Sequence, residues 1–295
     1  MSEPRQRALA GAMPVLFVLI WSTGFIVARY GMPYAPPMKF LAVRYALSIL
    51  CFSLWVVLAR VVWPRSASQY WHLAVTGVLM HAFYLGGVWA AVKAGMGSGL
   101  SALIVSLQPV LVALWLTATG RKIAGRQWAG LVLGFAGLVM VVSRKFGDGA
   151  EAGWLNMALA TGALLSITAG TLYQKRFVAP CDVRSANLVQ LCAALLVTLP
   201  LTLLEPQTMQ WNAELKGAMA WSVLVLTLGG SSLLYMLIQR GAAASVSSLM
   251  YLVPPVTAMM AWLLFAEPIS ALTVAGTVLT AAGVALVIRP TGASR

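Results

Sequence analysis

Residues 95–137 read GMGSGLSALIVSLQPVLVALWLTATGRKIAGRQWAGLVLGFAG, and residues 241–283 read GAAASVSSLMYLVPPVTAMMAWLLFAEPISALTVAGTVLTAAG. A shift of 146 residues lays the first on the second without a gap. Gly95 falls on Gly241, Ser101 on Ser247, Leu103 on Leu249, and Pro109-Val110 on Pro255-Val256. Ile123 falls on Ile269, while Gly130, Val132, Leu133 and Gly137 fall on Gly276, Val278, Leu279 and Gly283. The same offset carries Ser22 onto Thr168, Gly24 onto Gly170 and Arg29 onto Lys175. Single apolar identities arise by chance. A matched Pro-Val pair, matched glycines and a constant offset together mark an internal repeat. Residues 40–92 match residues 185–238 only weakly.

Around this repeat the composition is that of a chain whose solvent is lipid. Of 295 residues, 60% are hydrophobic and 9% charged, and the mean hydropathy is +0.86. Soluble domains run near 45–50% apolar and 25% charged, so a soluble enzyme, a nucleic-acid module and a disordered tail are excluded. A membrane-crossing helix needs about 20 mostly apolar residues. Apolar runs between Pro, Gly and charge punctuation predict ten: 11–29, 40–59, 71–92, 98–118, 127–143, 153–174, 185–203, 217–238, 243–265 and 271–288. The first is too long for a signal-peptide core and lacks a small-x-small cleavage site. With five spans per copy, an odd number, the second copy enters the bilayer from the opposite side. The expected fold is an all-α integral membrane protein: ten transmembrane helices in two inverted-topology repeats, 1–149 and 150–295, around a central cavity. In such architectures the substrate site lies near the midplane between the halves.

Charge sets the orientation. The net charge is +13, yet no basic run exceeds two residues, so the charges read as topology determinants rather than a nucleic-acid footprint. Arg5, Arg7, Arg60, Arg65, Arg121, Lys122, Arg126, Lys175, Arg176, Arg184, Arg240, Arg289 and Arg295 share one side. Arg29, Lys39, Lys93, Arg144, Lys145 and Lys216 take the other, and Arg44 lies within the second span. The excess predicts cytoplasmic termini in a bacterial inner membrane. Trp63, Trp71, Trp128, Trp154, Trp211 and Trp221 fall near span ends, as interfacial belts require. Cys51, Cys181 and Cys192 have neither metal nor disulfide spacing.

Helical spacing selects candidate cavity residues. Ser98, Ser101 and Gln108 form one stripe, Ser247, Tyr251 and Pro254 another, His81, Tyr84 and Val88 a third, and Ser232, Tyr235 and Gln239 a fourth. Ser22 and Thr168 are contributed by spans 1 and 6. Polar side chains at this depth face the bundle interior or a wet cavity, or glue helices together. The isolated Ser and Thr residues fit the second role better. His81, Tyr84, Gln108, Tyr235 and Tyr251 fit the first, because bulky polar groups are costly to bury unpartnered. Trp21 joins them as an aromatic at mid-depth. Pro109, Pro254 and Pro255 interrupt spans at equivalent positions and read as hinges. Gly130, Gly134, Gly137, Gly276 and Gly283 read as close helix contacts, within the molecule rather than in a dimer.

Several of these residues resemble a known family. Trp21-Ser-Thr-Gly-Phe25, Arg44-Tyr45, the run Ser101–Val110, Pro254-Pro255-Val256, Glu267 and the pattern Gly276–Gly283 are similar to the EamA branch of the drug/metabolite transporter superfamily, and within it to bacterial aromatic amino acid exporters. The resemblance implies ten helices in two inverted halves and export of small metabolites. Arg121 stands where an acidic residue is expected, which leaves Glu267 without a symmetric partner.

All seven acids lie at span ends or in loops. A multidrug antiporter for lipophilic cations needs a carboxylate in mid-membrane, and a sugar-phosphate carrier needs several buried cations, whereas only Arg44 qualifies and a structural or snorkelling role is its expected one. The expected cargo is neutral or zwitterionic and partly apolar, aromatic amino acids first, with other small metabolites, amines or drugs as the alternative. No cofactor or metal is expected, and the expected partners are the cargo and the bilayer, the chain being a monomer or weak homodimer. His81 is the candidate for a proton relay; without one the carrier would be a uniporter. A membrane enzyme lacks a nucleophile–base pair, and a channel is separated from a carrier by counterflow.

Overall fold

The structure is a computed structural model that describes residues 3–59, 61–96, 98–120, 122–142, 153–240, 249–265 and 271–288. Among the described residues the chain forms ten helical segments and no strand. They are α1 (Glu3–Gly31), α2 (Pro37–Leu58), α3 (Ala67–Lys93), α4 (Ser98–Val105, then Gln108–Ala118), α5 (Gly125–Val142), α6 (Trp154–Phe177), α7 (Val183–Leu204), α8 (Ala213–Arg240), α9 (Leu249–Leu252 as a 3-10 turn, then Val253–Phe265) and α10 (Ala271–Ile288). By length and composition α1, α2, α3, α6, α7 and α8 can each cross a bilayer. Gly95 and Gly120, which close the turns after α3 and α4, hold φ of 102° and 82°, where a side chain would be strained.

The offset of 146 governs the whole molecule, including the segments where sequence identity is weak. It carries Pro37–Leu58 onto Val183–Leu204, Ala67 onto Ala213, and Gly125–Val142 onto Ala271–Ile288. Helix starts correspond too. Ser66 caps α3 by accepting from Gln69 N, and its equivalent Asn212 caps α8 by accepting from Leu215 N. A π-helical stretch, Val78–Phe83 in α3, recurs as Ser222–Ser231 in α8. Such stretches are rare and widen the turn locally.

Helices of one half pack chiefly on those of the other. α5 lies along α10 and α2 along α7; α1 packs on α8 and α9, and their counterparts α6 on α3 and α4. The α5–α10 contact is made at glycines. A Cβ on Gly137 would meet Gly276 O at 2.5 Å, and one on Gly130 would meet Gly283 O at 2.7 Å. The small-residue pattern therefore does serve packing within the molecule. The broken helices α4 and α9 also meet: Ser106, in the gap of α4, donates to Met250 O in the 3-10 turn of α9 at 3.2 Å. Freed carbonyls at such breaks must be met by protein or cavity water, and Ser106 does this; Ser22 gives its proton to Val18 O of its own helix at 2.7 Å, lies 3.3 Å from Val253 O, and accepts at its carbonyl from Thr257 of α9 at 3.3 Å.

Trp63, Trp71, Trp154, Trp211 and Trp221 are exposed at helix ends. At the α6–α7 corner, Asp182 caps α7 and takes both Arg184 N and its guanidinium, the latter at 2.7 Å. The Arg184 hydrogen bond holds the Asp182 carboxyl below the usual carboxylate range. A depressed folded pKa gives stability that is present above the unfolded value, about 3.9, and is lost as pH falls through the folded one. Melting temperature should therefore decline below about pH 4 in the native protein, and Asp182→Asn, already lower at neutral pH, should lose that part of the decline.

Candidate functional site

A narrow cleft with a water-accessible volume of about 40 Å³ opens between α1, α2, α3 and α8, so both halves line it. That is well below the usual size of a small-molecule site, so a cargo needs it to widen. α1 supplies Trp21, Gly24, Phe25 and Ala28 on successive turns; α3 supplies Tyr84, Val88 and Trp89; α8 supplies Leu226 and Ser231; and α2 supplies Arg44. The walls are aromatic. Trp21 and Tyr84 lie parallel within 4°, with centroids 6.2 Å apart. Trp89 stacks on Phe40 at 4.7 Å, and Phe17 supports Trp21 at 5.2 Å.

Arg44 is 3% exposed. Its Nε–H donates to Thr227 Oγ1 at 2.9 Å, and Thr227 gives its own proton to Ser222 O at 2.9 Å, five residues back. The π stretch of α8 thus presents a hydroxyl oxygen to the guanidinium. Of the two roles expected from sequence, structural or snorkelling, snorkelling does not describe this buried side chain. Among the described residues no carboxylate faces it: Asp182 binds Arg184, Glu205 accepts from Met38 N and Lys39 N at the start of α2, and Glu214 is exposed.

Of the residues selected from sequence, the cleft gathers Trp21 and Tyr84. His81 does not share their face. It lies near the Gln190 side chain of α7 and is set edge-on to Tyr45, whose hydroxyl donates to His81 O at 2.8 Å. The 3.6-residue period that would place His81 on that face does not hold through Val78–Phe83. The counterpart stretch likewise brings Ser231 into the cleft and leaves Ser232 out; Tyr235 contacts Cys181 Sγ at 3.1 Å and Gln239 donates to Val178 O, both at the α6–α7 corner.

Ser22 bonds α9 as described, and Gln108 Nε2 donates to Thr171 Oγ1 of α6 at 2.9 Å. Ser101 is fully buried, and Tyr251 packs on Gly134. Thr168 donates to Leu164 O and borders a separate outer groove between α4 and α6. Pro109 sits at the start of the second piece of α4, and Pro254 and Pro255 just inside Val253–Phe265. These are positions where a missing N–H costs little, so each break precedes its proline. Ser247 and Glu267 lie outside the described residues. Phe25, Trp89 and Ser231 went unselected from sequence; the i, i+4 spacing of Trp21 and Phe25, and of Tyr84 and Val88 with Trp89 beside them, was the available signal.

At the C-terminal ends of α3 and α8 the same joint recurs. Lys93 Nζ donates to Met32 O at 2.8 Å, and its equivalent Gln239 Nε2 donates to Val178 O, the equivalent carbonyl, at 3.3 Å. One joint ties α3 to the end of α1 and the other ties α8 to the end of α6, on opposite faces of the bundle.

Comparison with known proteins agrees with this architecture. The family model described as EamA-like transporter family matches residues 9–143 and again 154–289. The chain is 26% identical to the uncharacterized inner membrane transporter YedA of Escherichia coli (strain K12), over 85% of this chain and 81% of that one. It is 22% identical to a probable amino-acid metabolite efflux pump of Salmonella typhimurium (strain LT2), over 92% of each. A solved protein structure superposes with a TM-score of 0.77 at 16% identity, covering 95% of this chain and 96% of that one.

Proposed function

Because the chain belongs to the EamA-like transporter family, and is thus a multi-pass membrane transporter, we propose that it exports small neutral or zwitterionic metabolites, aromatic and other hydrophobic amino acids foremost, by alternating access. The observation that carries this reading is the cleft between the halves, walled by Trp21, Phe25, Tyr84 and Trp89, with no acidic side chain on its lining among the described residues. Flat aromatic walls favour a cargo with an aromatic or branched apolar side chain. Absence of a lining carboxylate disfavours bare amines and lipophilic cations. The paired joints Lys93–Met32 and Gln239–Val178 support alternating access, since each ties the end of a cleft-lining helix, α3 or α8, and one can open while the other holds. The basic excess on one side supports cytoplasmic termini in a bacterial inner membrane, and a relative named as an inner membrane transporter is consistent with that membrane.

Counterflow in proteoliposomes tests the reading. Protein-dependent, saturable flux of labelled tryptophan and phenylalanine, accelerated by unlabelled cargo on the far side, is the expected result. Flux without that acceleration would indicate a channel, and no flux of either amino acid would remove the proposed cargo.

A further inference from the structure

The buried guanidinium of Arg44 has donors to spare. Of its five N–H groups, Nε–H is held by Thr227, and no side-chain carboxylate among the described residues meets the rest. Removing a charge from water without a partner is expensive, and losing one partner of a buried pair is strongly destabilising. Arg44 nonetheless lines the cleft beside Tyr84, whose phenol carries an O–H that can donate. The Thr227 bond fixes the guanidinium by the one nitrogen that leaves the terminal fork open. That fork matches a carboxylate, which it can engage with two parallel N–H···O bonds. Next to it, at the same cleft, stand the Trp21 and Phe25 rings. Among the described residues nothing on the lining offers a counter-charge for an ammonium.

Resting on the exporter reading of this cleft, we propose that Arg44, assisted by Tyr84, anchors a carboxylate on the cargo, so that the protein recognises aromatic or apolar carboxylates whether or not they carry an amino group. The amino group of an amino acid is then a passenger, and the carboxylate is the handle.

Direct binding of three labelled ligands to the full chain in nanodiscs tests this: phenylalanine, 3-phenylpropionate (ammonium removed) and phenethylamine (carboxylate removed). Phenylalanine and 3-phenylpropionate should bind within about 10-fold of each other, and phenethylamine at least about 30-fold more weakly. Arg44→Gln should weaken both carboxylates at least about 30-fold, with Arg44→Lys, a charge without the fork, in between. Phenethylamine binding as well as 3-phenylpropionate overturns the anchor, as does a folded Arg44→Gln protein with unchanged affinity, or no binding of either carboxylate. If Arg44→Gln does not fold, the ranking on the native protein decides. Arg44-dependent binding of 3-phenylpropionate without phenylalanine flux would refute the amino-acid cargo and keep the anchor. Phenylalanine flux indifferent to Arg44 would do the reverse.

Discussion

Leucine at Gly137 should abolish recovery of folded protein. A Cβ there would stand 2.5 Å from Gly276 O and 2.6 Å from the Thr280 nitrogen, and both obstacles are backbone, which cannot swing aside as a side chain can. α10 would have to retreat along the length of its contact with α5 and vacate the Thr280 hydroxyl's approach to Gly134 O. Overpacking a tight core costs about 1–3 kcal/mol even when side chains can give way, and here the loss should exceed that range. Gly162 is the control. It lies on an exposed face of α6, where an added Cβ would find nothing within 4 Å, so Gly162→Leu should leave yield unchanged or raise the melting temperature slightly, since leucine is the better helix former. Size-exclusion profiles and thermal melts of both variants decide. A Gly137→Leu protein that elutes and melts like the parent would show that α5 and α10 can separate without loss.

Removing the indole of Trp21 should cost about 10- to 100-fold in kcat/KM for an aromatic cargo while leaving the protein folded. The side chain is partly exposed on the cleft, its ring parallel to Tyr84 and backed by Phe17. Trp21→Ala loses stacking area against the cargo. Trp21→Phe keeps most of that area, so it should fall between. An effect confined to KM would mean that Trp21 holds cargo equally in all states, and an effect on kcat as well would mean that its contact strengthens during the passage. Unchanged transport by Trp21→Ala would take the cleft out of the pathway.

Much of this architecture is legible in the chain itself. The 146-residue offset, the number and placement of the spans and the glycine contacts all follow from apolar period and matched small residues, which report on packing against any neighbour. The cleft is less legible, for a specific reason. A constant turn of 3.6 residues assigns helix faces, and α3 and α8 both depart from it, at Val78–Phe83 and Ser222–Ser231. Tyr84 stays on the cleft while His81, three residues earlier, turns to α7. Arg44 is visible as the sole cation within a span, but its setting depends on Thr227, 183 residues away, and no local pattern announces that pairing. A proline within an apolar run reads as a kink in a continuous helix; Pro109 instead opens the second piece of α4, because the chain has already broken at Ser106-Leu107.

The interleaving of the halves bears on how the protein is made. α1 has its main neighbours in α8 and α9, and α2 has its own in α7, all of which emerge from the ribosome later. The first five helices must therefore wait in lipid, inserted but unassembled, until translation supplies their mates. Assembly is a late event that begins when α6 reaches α3 and α4 and ends when α10 covers α5, and a nascent chain arrested after α5 would present quality-control proteases with bare helix faces that the finished carrier never shows.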